Sequence, residues 1–90
     1  MGQKTMPFTL RRIQKVPDNK PVVYRILTRC GRTNYVGVAQ RGRVRERLQE
    51  HLGEIPGASV RIQQMASIAE AEETEARIIA RSQPKYNRRG

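Results

Sequence analysis

Residues 67–82 admit one reading under elementary helix chemistry, and that reading limits what the rest of the chain can be. Ser67, followed three residues later by Glu70, makes a capping box in which each side chain satisfies a free backbone N–H at a helix start. Pro84 sets the far limit, because its ring disfavours helical geometry in the residue before it. At about 100° per residue, Ile68, Ala71, Ile78 and Ile79 fall on one stripe that must pack on the rest of the fold. Glu70, Glu73, Arg77 and Arg81 sit on the opposite side, with Glu72 at the margin. Glu75 lies in the middle of the apolar stripe. A carboxylate there has to be paired, protonated, solvated at a cleft or bound to a metal. Periodicity alone favours the plainest of these, a Glu at the edge of a short helix reaching water or an Arg.

The chain has 90 residues, enough for one domain with a modest core. Only one Phe and three Tyr are present, so Val, Ile, Leu and Ala must fill that core. No apolar run approaches a membrane span, and the N-terminus lacks the apolar region of a signal peptide. Cys30 stands alone, which excludes an internal disulfide and a Cys-rich metal site. The expectation is a cytoplasmic protein that makes no contact with a membrane. Charge says more. Residues 1–45 carry 11 Lys/Arg against the single acid Asp18, while residues 46–90 carry seven of each sign, so the whole excess of +10 belongs to the first half. Such asymmetry points to a polyanion, foremost a nucleic acid. An anionic membrane surface is disfavoured by the lack of a basic amphipathic helix with large apolar anchors.

Taken in order, residues 1–20 read as a basic, partly flexible N-terminal arm broken by prolines, with Arg11, Arg12, Lys15 and Lys20 suited equally to tracking phosphates or to a solvated leader. Phe8, Leu10 and Ile13 can anchor a short piece, and Phe8-Thr9-Leu10 alternates like a strand. Residues 21–90 form the domain proper. Residues 22–29 and 35–39 are β-branched and aromatic, separated by a turn in which Gly31 and Asn34 can adopt positive φ, and together predict a β-hairpin. Gly37 inside the second strand packs nothing, which signals either a bulge or the close approach of another group. Val44, Leu48 and Leu52 define a helix ending at Gly53, with Arg47 and His51 one turn apart beside its apolar ridge. Residues 58–65 alternate as a half-buried strand. The expected class is α/β of the α+β type, a small three-stranded antiparallel sheet flanked by helices in the order β-β-α-β-α.

These pieces resemble a known family. Val22-Val23-Tyr24 is followed eleven residues later by Tyr35-Val36-Gly37, then by Arg47 and His51, then by Glu75 nine residues before Pro84-Lys85-Tyr86-Asn87. Order and spacing are similar to those of the GIY-YIG nuclease domain, found in some homing endonucleases, some restriction enzymes and the repair subunit that incises damaged DNA. The resemblance covers roughly residues 20–88. It implies that Tyr24 closes the first motif and Tyr35 opens the second, that Arg47 and His51 stand in the first helix of the site, that Glu75 holds one divalent metal and that Asn87 supports the site from beyond the proline, with Gly37 as a further supporting residue. Val22 replaces the first glycine of the family name, the loop before Arg47 is about two residues longer than in compact members, and Val38 stands where several relatives carry Lys or another polar residue.

The resemblance further implies a small stand-alone metal-dependent DNA endonuclease, structure- or strand-selective, acting in DNA repair, recombination or processing of incoming DNA. One Mg2+ or Mn2+ ion on Glu75 is the expected cofactor. Arg47 is expected to grip the phosphate, and Tyr24 or Tyr35, relayed through His51, to deprotonate water, which requires the phenol pKa to be lowered from about 10. Arg32, Arg41, Arg43, Arg45 and Lys85 are the expected nucleic-acid contacts. A monomer is expected, with a targeting partner protein as an open alternative. The rival reading is a non-catalytic nucleic-acid-binding module on the same fold.

Overall fold

The computed structural model describes residues 3–87; the ends of the expected arm and of the expected domain, residues 1–2 and 88–90, lie outside them. The hairpin forms as expected. Strand β2 (Val22–Leu27) is apolar on both faces except at Arg25, which suits a strand with neighbours on each side. Gly31 turns the chain at φ +88°, where Asn34 instead keeps negative φ and donates its side-chain amide to the Pro56 carbonyl at 2.8 Å. Strand β3 (Thr33–Ala39) then pairs with β2, setting Gly37 opposite Tyr24 and Tyr35 opposite Ile26. Strand β4 (Ser59–Gln64) pairs with the other edge of β2, Ile62 opposite Tyr24.

The sheet has four strands rather than three. Strand β1 (Gln3–Pro7) pairs antiparallel with β4, giving the order β1-β4-β2-β3. Its sequence shows no strand signal because Gln3, Lys4, Thr5 and Pro7 are exposed and Met6 is half-buried. An edge strand of this kind is held by backbone pairing, and no apolar alternation is needed. Residues 3–7 of the expected basic, partly flexible arm are paired in the sheet, and Phe8, Ile13 and Val16 are buried in the main core. Phe8-Thr9-Leu10 is no strand either. Thr9 caps the short helix α1 (Leu10–Ile13), its hydroxyl accepting from Arg12 N at 3.3 Å, and Leu10 stays 49% exposed.

Two apolar layers follow from the pleat. Val22, Tyr24, Ile26, Val60 and Ile62 face α1 and helix α2 (Val44–Leu52), where Val44 and Leu48 are buried. Val23 and Val36 face helix α3 (Ile68–Ser82), which presents Ile68, Ala71, Ile78 and Ile79, the stripe read from the sequence. Ser67 caps α3 by accepting from Glu70 N at 3.2 Å. Gln83 ends it in the left-handed conformation at φ +46°, its N–H on the Ile79 carbonyl, and Pro84 follows. Gly53 ends α2 as expected but at φ −97°, so glycine's freedom is not used there.

The N-terminal segment fixes the start of α2. Arg43 occupies the cap position and offers no side-chain cap. Asp18 supplies one from 26 residues away, its carboxylate accepting from Val44 N at 2.8 Å and its carbonyl from Gly42 N at 2.9 Å. Arg45 Nε donates to the Val16 carbonyl at 2.7 Å. Among the described residues no helix is long and apolar enough to cross a membrane.

Candidate active site

Strand β3 is an edge of the sheet, and that position makes the site. Tyr35 and Ala39 point toward the α2 layer, Val36 and Val38 toward α3. A cavity of about 350 Å³ wraps this edge and is lined from both layers, by Tyr35, Ala39, Gln40, Arg43 and Arg47 on one side and Val38, Ile68, Glu72 and Glu75 on the other. Glu75 is half-buried there. Its place on the apolar stripe is explained, since the stripe runs to the rim of the sheet and the carboxylate emerges just past it. Among the described residues the lining of the cleft holds two Arg and two Glu.

Behind the cleft stands a cluster of three rings. Tyr35 lies 4.7 Å from His51 and 6.1 Å from Tyr24 between ring centroids. Tyr24 is fully buried, its hydroxyl 2.9 Å from Nε2 of His51, itself 8% exposed. Nδ1 of His51 has no hydrogen bond among the described residues, but the Glu54 carboxylate lies 3.7 Å away. We assign the ring proton to Nδ1 on that ground, so Tyr24 donates to Nε2.

Burial pushes the Tyr24 phenol well above its ordinary value; Tyr35 adds to this, Arg47 opposes it, and Glu75 adds a smaller upward push. Burial, and then the charge of Arg47, hold His51 below its ordinary value against Glu54 and Glu50. Both groups are neutral at pH 7. The lowered phenol pKa required of a tyrosine base is therefore not found at Tyr24.

Gly37 and Asn87 shape the cluster. A Cβ at Gly37 would stand 2.5 Å from Cζ and from the hydroxyl oxygen of Tyr24, and 2.8 Å from Cε2 of Tyr35. Of the two readings open for Gly37, close approach rather than a bulge accounts for it. Asn87, in a short 3-10 turn (Lys85–Asn87), donates to the Val36 carbonyl at 2.9 Å and accepts from Val36 N at 2.7 Å. The amide thus stands in for the missing strand on the open edge of β3, next to Tyr35.

The expected nucleic-acid contacts scatter. Arg43 lines the cleft, although it pairs with Glu46 at 3.2 Å, and Arg41 is exposed in the preceding turn. Arg45 is tied to Val16. Arg32 and Lys85 line a separate depression at the other end of β3. A larger hollow of about 470 Å³ between Ile79, Pro84 and Asn87 has, among the described residues, Lys85 as its one charged lining residue. Two residues escaped the sequence reading. Asp18 was legible in principle, as the one acid of the basic half ahead of a helix lacking a cap; Glu72 was placed at the stripe's margin but not in the site.

The class these features define is a small antiparallel sheet carrying a tyrosine–histidine–arginine cluster that meets a carboxylate at one edge strand. No family model and no curated protein matches the sequence. Solved structures do match the fold. The GIY-YIG N-terminal endonuclease domain of UvrC from Thermotoga maritima, bound to its catalytic divalent cation, magnesium, superposes with a TM-score of 0.73 at 25% identity, over 88% of this chain and 96% of that one. Two tyrosine-to-phenylalanine point mutants of the same domain give 0.70 at 26% and 0.71 at 25%, each over 87% of this chain and 97% of the other. The likeness runs through nearly the whole chain, and the chain is a GIY-YIG domain.

Proposed function

We propose that this chain is a divalent-metal-dependent DNA endonuclease. The observation that carries the reading is that Glu75, Arg47 and Tyr35 line one cleft although they come from opposite layers of the sheet. The donor set fits a hard cation. Among the described residues no three His, Cys, Asp or Glu cluster, so an ion would be held through Glu75, with Glu72 three residues away, and through water. That manner of binding suits Mg2+ or Mn2+. The similar UvrC domain binds a magnesium ion, which supports the same cofactor here.

When bound, the metal supplies charge neutralisation at the phosphate and at the leaving oxygen. The protein supplies the rest. Arg47, permanently charged and forked, grips the phosphate bidentately. Tyr35 reaches the cleft, where its oxygen, as the phenolate, takes the proton from the attacking water and is left as the neutral phenol. Tyr24 stays protonated and buried; its hydrogen bond to His51 holds the ring layer on which Tyr35 rests. This division favours Tyr35 over Tyr24 as the base. Gly37 and Asn87 keep the strand in place beneath both. Arg41 and Arg43 lie nearest the cleft for contacts along the substrate, with Arg32 and Lys85 further off.

DNA selected by structure or strandedness, in repair, recombination or processing of incoming DNA, completes the reading, with a cytoplasmic monomer as its simplest setting. The test is incubation of labelled single-stranded, duplex and flap DNA with Mg2+ or with chelator. Product with Mg2+ alone supports the reading. Binding that survives chelator with no product from any substrate would overturn it in favour of a binding module.

A further inference from the structure

Helix α3 covers β3 and β2 but leaves the same face of β4 and β1 open, and that half of the sheet presents Ser59, Arg61, Gln63, Gln3 and Thr5, none of them buried. At its centre Arg61 is the direct cross-strand partner of Arg25 on β2. Like charges opposite each other across two strands destabilise a sheet. No ion pair among the described residues includes either guanidinium. Arg61 Nε donates to the Thr5 hydroxyl at 3.1 Å, and Gln3 donates to Gln63 at 3.2 Å, so the surround is a hydrogen-bonded polar floor rather than an apolar one. Arg25 is half-buried, and burial together with Arg61 lowers its pKa. The arrangement makes sense when an anion lies across both.

We propose that the open half of the sheet, with Arg61 on it and the half-buried Arg25 at its margin on β2, is a second binding surface for the phosphate backbone of DNA. Paired guanidiniums over a polar floor match consecutive phosphates in charge and in donor geometry. The register connects this surface to the cleft. Val36, Arg25, Arg61 and Thr5 form one row across all four strands, and Val36 is the residue beside Tyr35 that Asn87 clasps. Two strand spacings put Arg61 roughly 10 Å from that point. Helix α3 stands between this surface and the cleft, so the surface would take DNA that extends past the helix from the bond at the cleft; this rests on the proposed function, whose substrate it shares.

The experiment measures binding of fluorescent duplex DNA in chelator as salt is raised, for the wild-type chain, the double variant Arg25→Gln/Arg61→Gln and the double variant Arg25→Lys/Arg61→Lys. Loss of two phosphate contacts should lower the salt slope by about 2 and weaken binding at least tenfold at low salt, and the lysine variant should keep most of both. Cleavage by the glutamine variant should show a raised KM with kcat within about twofold of wild type at saturating DNA. An unchanged slope and affinity in the glutamine variant overturns the proposal. If that variant does not fold, Arg61→Gln alone decides, a slope lower by about 1 supporting the proposal and an unchanged slope overturning it. Wild type that cuts DNA while the slope stays fixed sinks this surface only; wild type that binds through it but never cuts sinks the nuclease reading only.

Discussion

Asn87 holds both backbone groups of Val36, donating to its carbonyl at 2.9 Å and accepting from its N–H at 2.7 Å across 51 residues of sequence. One side chain at the far end of the chain thereby fixes the edge strand from which Tyr35 projects. Removing it strips Val36, which is fully buried, of both partners. Asn87→Ala should cost about 2–3 kcal/mol in chemical denaturation. It should also lower kcat more than KM, since Tyr35 moves while the phosphate grip of Arg47 stays. A variant with wild-type stability and kcat contradicts the clasp's role.

Gly37 gives the sharpest steric prediction. Because an added Cβ meets the ring and hydroxyl of Tyr24 at 2.5 Å and the ring of Tyr35 at 2.8 Å, Gly37→Ala has to displace at least one tyrosine. Crowding of this kind costs roughly 1–3 kcal/mol. Cleavage should fall at least tenfold in a protein that still unfolds cooperatively. Full activity in Gly37→Ala would show that the tyrosines do not need this packing.

The two tyrosines should separate by function. Tyr35 lines the cleft, whereas Tyr24 is fully buried and donates to His51. Tyr35→Phe should lower single-turnover cleavage by roughly 10²–10⁴ with little change in stability, the range for losing a general base. Tyr24→Phe should cost about 1–2 kcal/mol by leaving the buried Nε2 of His51 unsatisfied, with a smaller loss of rate. The reverse pattern would make Tyr24 the base.

Stability should fall on both sides of neutrality. His51 is held below its ordinary value near 6.5 by burial and by Arg47, so the unfolded chain takes up that proton first. Its contribution is fully present above about pH 6.5 and declines as pH drops below it. Tyr24 is pushed above the ordinary value of about 10 by burial and by Tyr35, so the unfolded chain loses that proton first. Its contribution is present below about pH 10 and is lost as pH rises further. Melting temperature should peak between these limits, with the acid decline reduced in His51→Gln and the alkaline decline reduced in Tyr24→Phe. Unaltered limbs in both variants contradict the assignment.

Much of the fold was legible because its signals are local. The alternation of Val22, Tyr24 and Ile26, the ridge of Val44 and Leu48 and the capped stripe of α3 each specify an element from neighbouring residues, and each forms where expected. Strand β1 was not legible, because an exposed edge strand is specified by the backbone of β4 and its own side chains carry no period. The same holds for the site. Helical spacing put Glu75 on an apolar stripe, but only the place of β3 at the sheet edge brings that carboxylate round to Tyr35 and Arg47. The long-range support, Asp18 on α2 and Asn87 on β3, depends on pairings 26 and 51 residues apart that no local pattern encodes.

The central claim is that Glu75 holds the metal on which cleavage depends. Single-turnover cleavage of labelled DNA in Mg2+ should be compared between wild type and Glu75→Ala, with DNA binding in chelator measured for both. The account predicts similar binding and a rate lower by at least 10³ in the variant, since electrostatic stabilisation is the largest contribution to such a reaction. Equal, metal-dependent cleavage rates in the two proteins would contradict it.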